Sequence, residues 1–302
     1  MKILIIGFGS IGKRHYDVLS KMSFVETVDL VTKQDIDSAV CYKNLQAVID
    51  IDRYDYFVIS SETSRHFEQL KFLEENVINK LILCEKPLFD SKKDFKIKNN
   101  KVFVGYVLRF YPLLKKLRDL MRDEDIILAN AKCGQYLPNW RPNTDYKSCY
   151  SAKKELGGGV LLDLSHEIDY MQWLCGKFDE IKSYNVKISD LDINSDDLAM
   201  LLGKTNRGVF VNISLDYISK NTHRVLSIET LENSYELDFI AHKLIKKNKY
   251  GLEEKYTVSN LERNYMFEKM HLDILDNKNS ACTFQEALEV MKAISIIQEQ
   301  NL

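Results

Sequence analysis

The chain opens MKILIIGFGSIGKRH, residues 1–15, and the reading of this stretch decides the fold. A short apolar run, Ile3 to Ile6, ends in Gly7, Gly9 and Gly12. A strand that runs into G-x-G-x-x-G and then into a helix-compatible stretch is the fingerprint of a dinucleotide site. Gly7 suits the tight turn, Gly9 lets the backbone approach a pyrophosphate, and Gly12 lets the new helix pack close on its strand. That helix directs its unpaired N–H groups and positive end at the phosphates, so Ser10 and Ile11 join the three glycines as expected cofactor contacts.

Outward from this loop, a length of 302 residues suggests two domains of unequal character. A formal net charge of −2 argues against a nucleic-acid binder, which needs a marked cationic excess. The apolar runs are too short to span a bilayer, and Gly7 interrupts the first run before it resembles a secretory signal. Cys41, Cys84, Cys133, Cys149, Cys175 and Cys282 are scattered without metal spacing. They read as reduced packing residues of a cytoplasmic protein, and no metal site is expected.

Alternating strand and helix patterns continue beyond the loop. Helix Ser10 to Met22 and strand Val25 to Val31 are followed by Thr32 and Lys33, with no carboxylate until Asp35. A hydroxyl beside an ammonium suits a ribose 2′-phosphate, so NADP(H) is expected in preference to NAD(H). The alternative leaves Lys33 as an exposed lysine and gives the ribose to Asp35. Strand Tyr54 to Ser60 ends at Ser60, Ser61, Glu62 and Thr63, where carboxyl-end loops of open α/β sheets bind ligands. Ser60, Thr63 and His66 are therefore expected near the cofactor, although Thr63 also suits a helix N-cap. Strand Lys80 to Cys84 then delivers Glu85, Lys86 and Pro87 to the same edge. A lysine there suits proton transfer, with Glu85 holding its ammonium.

GFGSIGKRH at the start, CEKPL at Cys84 to Leu88 and GGGVLLDLSHEIDYMQWL from Gly157 to Leu174 resemble the glucose-fructose oxidoreductase, inositol dehydrogenase and MocA family. The resemblance implies an α/β chain: an N-terminal Rossmann domain followed by an α+β domain with a large, mostly antiparallel open sheet, which often mediates oligomerisation. It also implies hydride transfer between a nicotinamide and a carbohydrate or cyclitol carbon, with the lysine of E-K-P and the later histidine near the reacting hydroxyl.

The crossing at Leu108 to Pro112 places the domains at 1–107 and 108–302 and brings Arg109 toward a substrate. Helix Leu113 to Met121 and strand Ile126 to Cys133 lead into Gly134 to Leu156, which shows no regular period. Trp140, Tyr146 and Tyr150 make this loop a candidate substrate wall, and Arg141, Lys147, Lys153 and Lys154 are candidate partners for an anionic group. Three glycines then precede one helix with apolar residues at Leu161, Leu164, Ile168, Met171 and Leu174. Asp163, His166 and Asp169 share a side of it at i, i+3 spacing, so His166 reads as an acid/base held by carboxylates. The family commonly places its aspartate four residues before the histidine, where this chain has Leu162, which puts the direct role of Asp163 in doubt.

Strand-like segments at 182–188, 198–204, 208–217, 225–229, 235–239 and 242–246 suit one broad sheet whose open face suits a second subunit, giving a dimer or tetramer. Lys220, His223 and Arg224 form another cationic group between two of them. Helices at 261–275 and 284–298 end the chain, the last with Thr283 and Glu286 as a capping box. The resulting expectation is a cytoplasmic sugar dehydrogenase or reductase using Lys86, His166 and Asp163. The W-R-P loop and the GGGVLLDLSHEID form resemble a branch of that family often associated with surface-polysaccharide or acidic-sugar synthesis, which together with the cationic loops implies an anionic or nucleotide-linked sugar. The alternatives are a redox-assisted elimination or hydrolysis without net cofactor change, and a non-catalytic dinucleotide sensor.

Overall fold

The strand read from Ile3 to Ile6 forms as β1 (Lys2–Ile6), and its last four side chains are at most 1% exposed. Burial on both faces is what a continuous apolar run anticipates in a parallel sheet. Each such side chain contributes roughly 1.5–3 kcal/mol of hydrophobic stabilisation. A computed structural model of the protein describes residues 1–140 and 145–300. It divides the chain into two units, Met1–Phe110 with Glu262–Leu288, and Tyr111–Leu261 with Glu289–Leu302.

In the first unit β1 is flanked by β2 (Thr27–Val31), then β3 (Cys41–Tyr42), and on its other side by β4 (Tyr56–Ile59), β5 (Leu81–Cys84) and β6 (Lys101–Val104). These pairings are all parallel, and an antiparallel strand, Cys282–Thr283, closes the edge on β6. The register aligns Ile6 with Val31 and Ile59, Ile59 with Cys84, and Cys84 with Val104. One residue further along, Gly7, Thr32, Ser60, Glu85 and Gly105 therefore stand together along the carboxyl edge.

The sequence reading gave residues 262–288 to the second domain, and the structure returns them to the first unit. The reason is the apolar stripe Phe267, Met270 and Ile274 of helix Tyr265–Leu275, which joins the core formed by Ile3, Ile5, Val18 and Leu30. The capping box forms as read: Glu286 accepts from the Thr283 N–H at 2.9 Å, and Thr283 Oγ1 accepts from the Glu286 N–H at 3.3 Å.

The second unit is built on eight strands: β7 (Ile126–Gly134), β8 (Phe178–Val186), β9 (Leu198–Thr205), β10 (Phe210–Asp216), β11 (His223–Thr230), β12 (Asn233–Asp238), β13 (Lys243–Asn248) and β14 (Glu253–Thr257). Their order is β14-β13-β12-β11-β7-β10-β9-β8, antiparallel except for β7 beside β10. Strand β14 was not anticipated, because EEKYT is exposed or half-buried throughout and carries no apolar alternation. The single helix expected after the three glycines is broken in two, Val160–Asp163 and His166–Cys175, at Leu164 and Ser165.

A methyl group built on Gly12 would lie 2.2 Å from the Gly7 carbonyl oxygen, whereas one on Gly9 meets nothing within 4 Å. Gly12→Ala is expected to lower stability by about 1–3 kcal/mol through overpacking. Gly9→Ala should leave the melting temperature nearly unchanged while weakening NAD(P)H binding. Thermal melts with cofactor fluorescence titration check both, and equal destabilisation by the two variants would contradict this reading of the turn.

Candidate functional site

The carboxyl edge of the first sheet is built around the Gly7 turn. Gly7 takes a φ of +98°, and a side chain there would strike the Ser60–Ser61 backbone at 2.7 Å. Ser60 is buried and donates its hydroxyl to the Gly7 carbonyl at 2.9 Å, so it braces the turn. Helix Ser10–Leu19 starts immediately beyond, and its first internal bond runs from the Lys13 N–H to the Gly9 carbonyl. The N–H groups of Ser10, Ile11 and Gly12 therefore lie ahead of the helix's own hydrogen-bond ladder. Gly9 and Ser10 are exposed and open space stands over Gly9, so this cradle fits a diphosphate.

The other expected cofactor residues take several roles. Thr32 is buried, and its hydroxyl accepts the Gln34 N–H at 3.1 Å. Lys33 is exposed, while Asp35 is held by Lys43 at 2.6 Å. Thr63 begins a short turn, Thr63–Arg65, ahead of helix His66–Asn76, and its side chain does not cap that helix. His66 is 1% exposed, with Nδ1 3.0 Å from the Pro87 carbonyl and Nε2 3.2 Å from the Ser61 carbonyl. It thus ties the loop after β4 to the loop after β5 instead of facing outward. Burial pushes its pKa down, against those two carbonyls, which favour the charged form.

Glu85 is 9% exposed, and Oε2 accepts the Lys86 N–H at 3.2 Å. Lys86 itself is half-buried. Arg109, expected at the substrate, is 2% exposed within the first unit and donates to Glu286 at 3.0 Å. Its charge is committed to the capping box, so it is withdrawn as a substrate contact.

In the second unit, Gly157 to Met171 is buried at every residue except His166, which is half-buried at the start of helix His166–Cys175. Asp163 lies on the preceding short helix, so the shared face of one helix expected for Asp163, His166 and Asp169 does not form. Asp163 Oδ2 accepts the Tyr217 hydroxyl at 2.5 Å, and the Trp140 and Tyr217 rings lie 5.6 Å apart. Tyr150 is half-buried, and its carbonyl lies 2.1 Å from where a Gly158 side chain would begin. Tyr146 is displaced toward another loop, its hydroxyl accepting the Asp192 N–H at 3.3 Å. Arg141 lies outside the described residues.

Most of the candidate cations are already engaged. Lys147 pairs with Asp192 at 2.9 Å, and Lys220 stacks over the Tyr136 ring at 4.0 Å. Arg224 makes a two-pronged pair with the fully buried Glu167 at 2.7 and 2.9 Å, which braces the helix that carries His166. Sequence reasoning passed over Tyr217 and Asp196. Asp196 accepts the Leu161 N–H at 2.9 Å and packs against Gly159, so it positions the short helix. Tyr217 at the end of a read strand was the available signal for the first, and the paired Asp196-Asp197 before β9 for the second.

A dinucleotide cradle at the carboxyl edge of a parallel sheet, followed by a large antiparallel-sheet unit, defines a nicotinamide-dependent oxidoreductase architecture. Residues 1–98 match the oxidoreductase family with NAD-binding Rossmann fold, and residues 116–237 match the GFO/IDH/MocA C-terminal domain. The chain belongs to the Gfo/Idh/MocA oxidoreductase family. Among solved structures it is similar to levoglucosan dehydrogenase in complex with NADH and L-sorbose, at 16% identity and a TM-score of 0.83, covering 99% of this chain and 96% of that one. UDP-N-acetylglucosamine 3-dehydrogenase GnnA from Acidithiobacillus ferrooxidans gives 16% identity and a TM-score of 0.76 over 100% and 97% of the two chains. A super-repressor mutant of Gal80p from Saccharomyces cerevisiae gives 15% and 0.82 over 100% and 95%. No curated protein sequence matches. Among the described residues no helix is long and apolar enough to cross a membrane.

Burial, aided by the Asp163 and Asp197 charges, raises the Asp196 carboxyl from 3.8 to about 6. The folded state then holds a proton that the unfolded chain releases, so the contribution of this carboxyl to stability is full below about pH 4 and is lost as pH rises through 6. Asp196→Asn removes this loss and keeps an oxygen for the Leu161 N–H. Urea denaturation should show the variant gaining up to about 3 kcal/mol on the parent between pH 4 and pH 7.5. A parent–variant difference that is the same at both pH values would contradict the assignment.

Proposed function

We propose that the protein is an NADP(H)-preferring dehydrogenase or reductase of a sugar or sugar derivative. The observation that carries this reading is the Gly7–Gly12 cradle with Glu85 and Lys86 on the same strand edge. Gly9, Ser10 and Ile11 hold the diphosphate, and Thr32 and Lys33 take the ribose 2′-phosphate. Support for the phosphate form is that Asp35 is occupied by Lys43, while Lys33 makes no ion pair among the described residues. When bound, the nicotinamide supplies the position that gives or accepts the hydride. Lys86 Nζ or the His166 imidazole takes or returns the proton of the reacting hydroxyl. Trp140 and Tyr150, both half-buried, form a sugar-facing wall, with the buried Tyr217 and Asp163 behind Trp140 as positioning residues.

A sugar is favoured because two structural neighbours bear the names of sugar dehydrogenases, one of them acting on a nucleotide sugar. An anionic or nucleotide-linked sugar, as in surface-polysaccharide synthesis, is the form this reading prefers, with Lys153 and Arg141 as the cations to test. No disulfide joins the cysteines among the described residues, and the setting we propose is reducing and cytoplasmic.

Fluorescence titration is expected to show NADPH binding at least tenfold tighter than NADH. A screen of free and nucleotide-activated sugars should then give stoichiometric cofactor turnover. Lys86→Ala and His166→Ala should each lower that turnover by about 10²–10⁴-fold. Unchanged turnover in both would remove the catalytic assignment, a preference for NADH would remove the reading of Lys33, and turnover without net cofactor change would indicate redox-assisted elimination.

The second copy of the chain docks on the uncovered sheet face. Tyr184, Met200, Leu202 and Phe210 there are 71%, 44%, 63% and 59% exposed, and register sets Tyr184 opposite Met200 and Phe210 opposite Leu128. Light scattering should give a dimer or tetramer that Leu202→Asp converts to monomer. A monomeric parent chain would contradict this docking.

A further inference from the structure

The first unit contains a buried chain of four ionisable side chains that the proposed chemistry does not use. Glu85 Oε1 lies 3.0 Å from His15 Nε2, His15 Nδ1 lies 2.9 Å from His271 Nε2, and His271 Nδ1 lies 2.9 Å from the Tyr56 hydroxyl. His15, His271 and Tyr56 are all 0% exposed. They come from the glycine-loop helix, from helix Tyr265–Leu275 and from β4, and they converge on the residue before Lys86.

Donor counting fixes the direction of this chain. An ionised Glu85 only accepts, so His15 donates from Nε2 and accepts at Nδ1. His271 must then donate from Nε2 and accept at Nδ1, and the partner left to donate is the Tyr56 hydroxyl. Every nitrogen is matched with both rings neutral. In the opposite direction the Tyr56 oxygen would accept from His271 Nδ1–H, and its own hydrogen, fully buried, would lose the one partner it has among the described residues. Adding a second proton to His15, at Nδ1, would therefore require both bonds beyond it, to His271 and from Tyr56, to reverse.

We propose that Tyr56, His271 and His15 form a one-way hydrogen-bond relay that keeps His15 neutral, so that Glu85 stands beside Lys86 as a carboxylate not cancelled by an imidazolium. The three are positioning residues for Lys86, and this rests on the reading of Lys86 as a proton-handling group. Glu85 Oε1 is pinned by the relay while Oε2 holds the Lys86 N–H. Gly105 closes the remaining side, since a side chain there would begin 2.6 Å from Oε1. The other groups around Glu85 are Cys84 on its own strand, Arg14 on the glycine-loop helix and His66 on helix His66–Asn76, with Arg263 beyond Arg14. Burial pushes His271 well below the ordinary histidine range and pushes Tyr56 up, so both stay in the forms the relay needs.

The test uses the full chain labelled with ¹⁵N-histidine. Long-range ¹H–¹⁵N spectra between pH 5.5 and 8.5 should show His15 and His271 as Nε2–H tautomers that do not titrate. Titration of either ring in that window, or an Nδ1–H tautomer, overturns the relay whatever Lys86 does in catalysis. His271→Gln keeps one acceptor and one donor, whereas His271→Leu keeps neither. In the leucine variant His15 should begin to titrate, and the pH midpoint of Lys86 acetylation, read by mass spectrometry, should fall by about 0.5 pH unit or more. The glutamine variant should restore both. If His271→Leu does not fold, Tyr56→Phe, which removes only the terminal donor, should give the same pair of changes. An unmoved Lys86 midpoint in a folded variant reduces the relay to packing and contradicts the proposal. Failure of the Lys86 reading itself would show separately, as unchanged sugar turnover in Lys86→Ala.

Discussion

The contact between the Gly12 backbone and the Gly7 carbonyl is the constraint on which the candidate site depends. With no room for a side chain between them, helix Ser10–Leu19 begins directly over the end of β1. Its leading N–H groups then share an edge with Ser60 and Glu85. Ser60 locks the turn through the Gly7 carbonyl, and His66 locks the next two loops to each other. The edge is thus rigid before any ligand arrives, which lowers the ordering cost of binding.

The first half of the chain was legible because its signals are local. Glycine spacing marks the cradle, and strands buried on both faces read as apolar runs. The failures share a physical cause, which is that they depend on distant packing or on a break that the apolar pattern does not mark. Leu161, Leu164 and Ile168 keep a helical period straight across the interruption at Leu164 and Ser165, so the break that separates Asp163 from His166 left no trace. The return of helix Tyr265–Leu275 to the first core depends on Phe267 and Met270 meeting Val18 and Leu30, which no local pattern announces. His15 and His271 are 256 residues apart and are joined only by folding. Strand β14 follows from hydrogen bonds to β13, not from its own charged sequence.

Charge was the least transferable signal. Arg109, Lys147 and Arg224 each looked available in sequence, and each is committed to a carboxylate of its own unit. What gathers in the second unit instead is an aromatic and acidic group, the half-buried Trp140 beside the buried Tyr217 and Asp163, the last of them three residues before the half-buried His166.

The most direct test of the account is a crystal structure of the chain soaked with NADPH. The account predicts the diphosphate on the N–H groups of Gly9, Ser10 and Ile11, with the 2′-phosphate on Thr32 and Lys33. A cofactor bound elsewhere, or a diphosphate that leaves those N–H groups untouched, would contradict it.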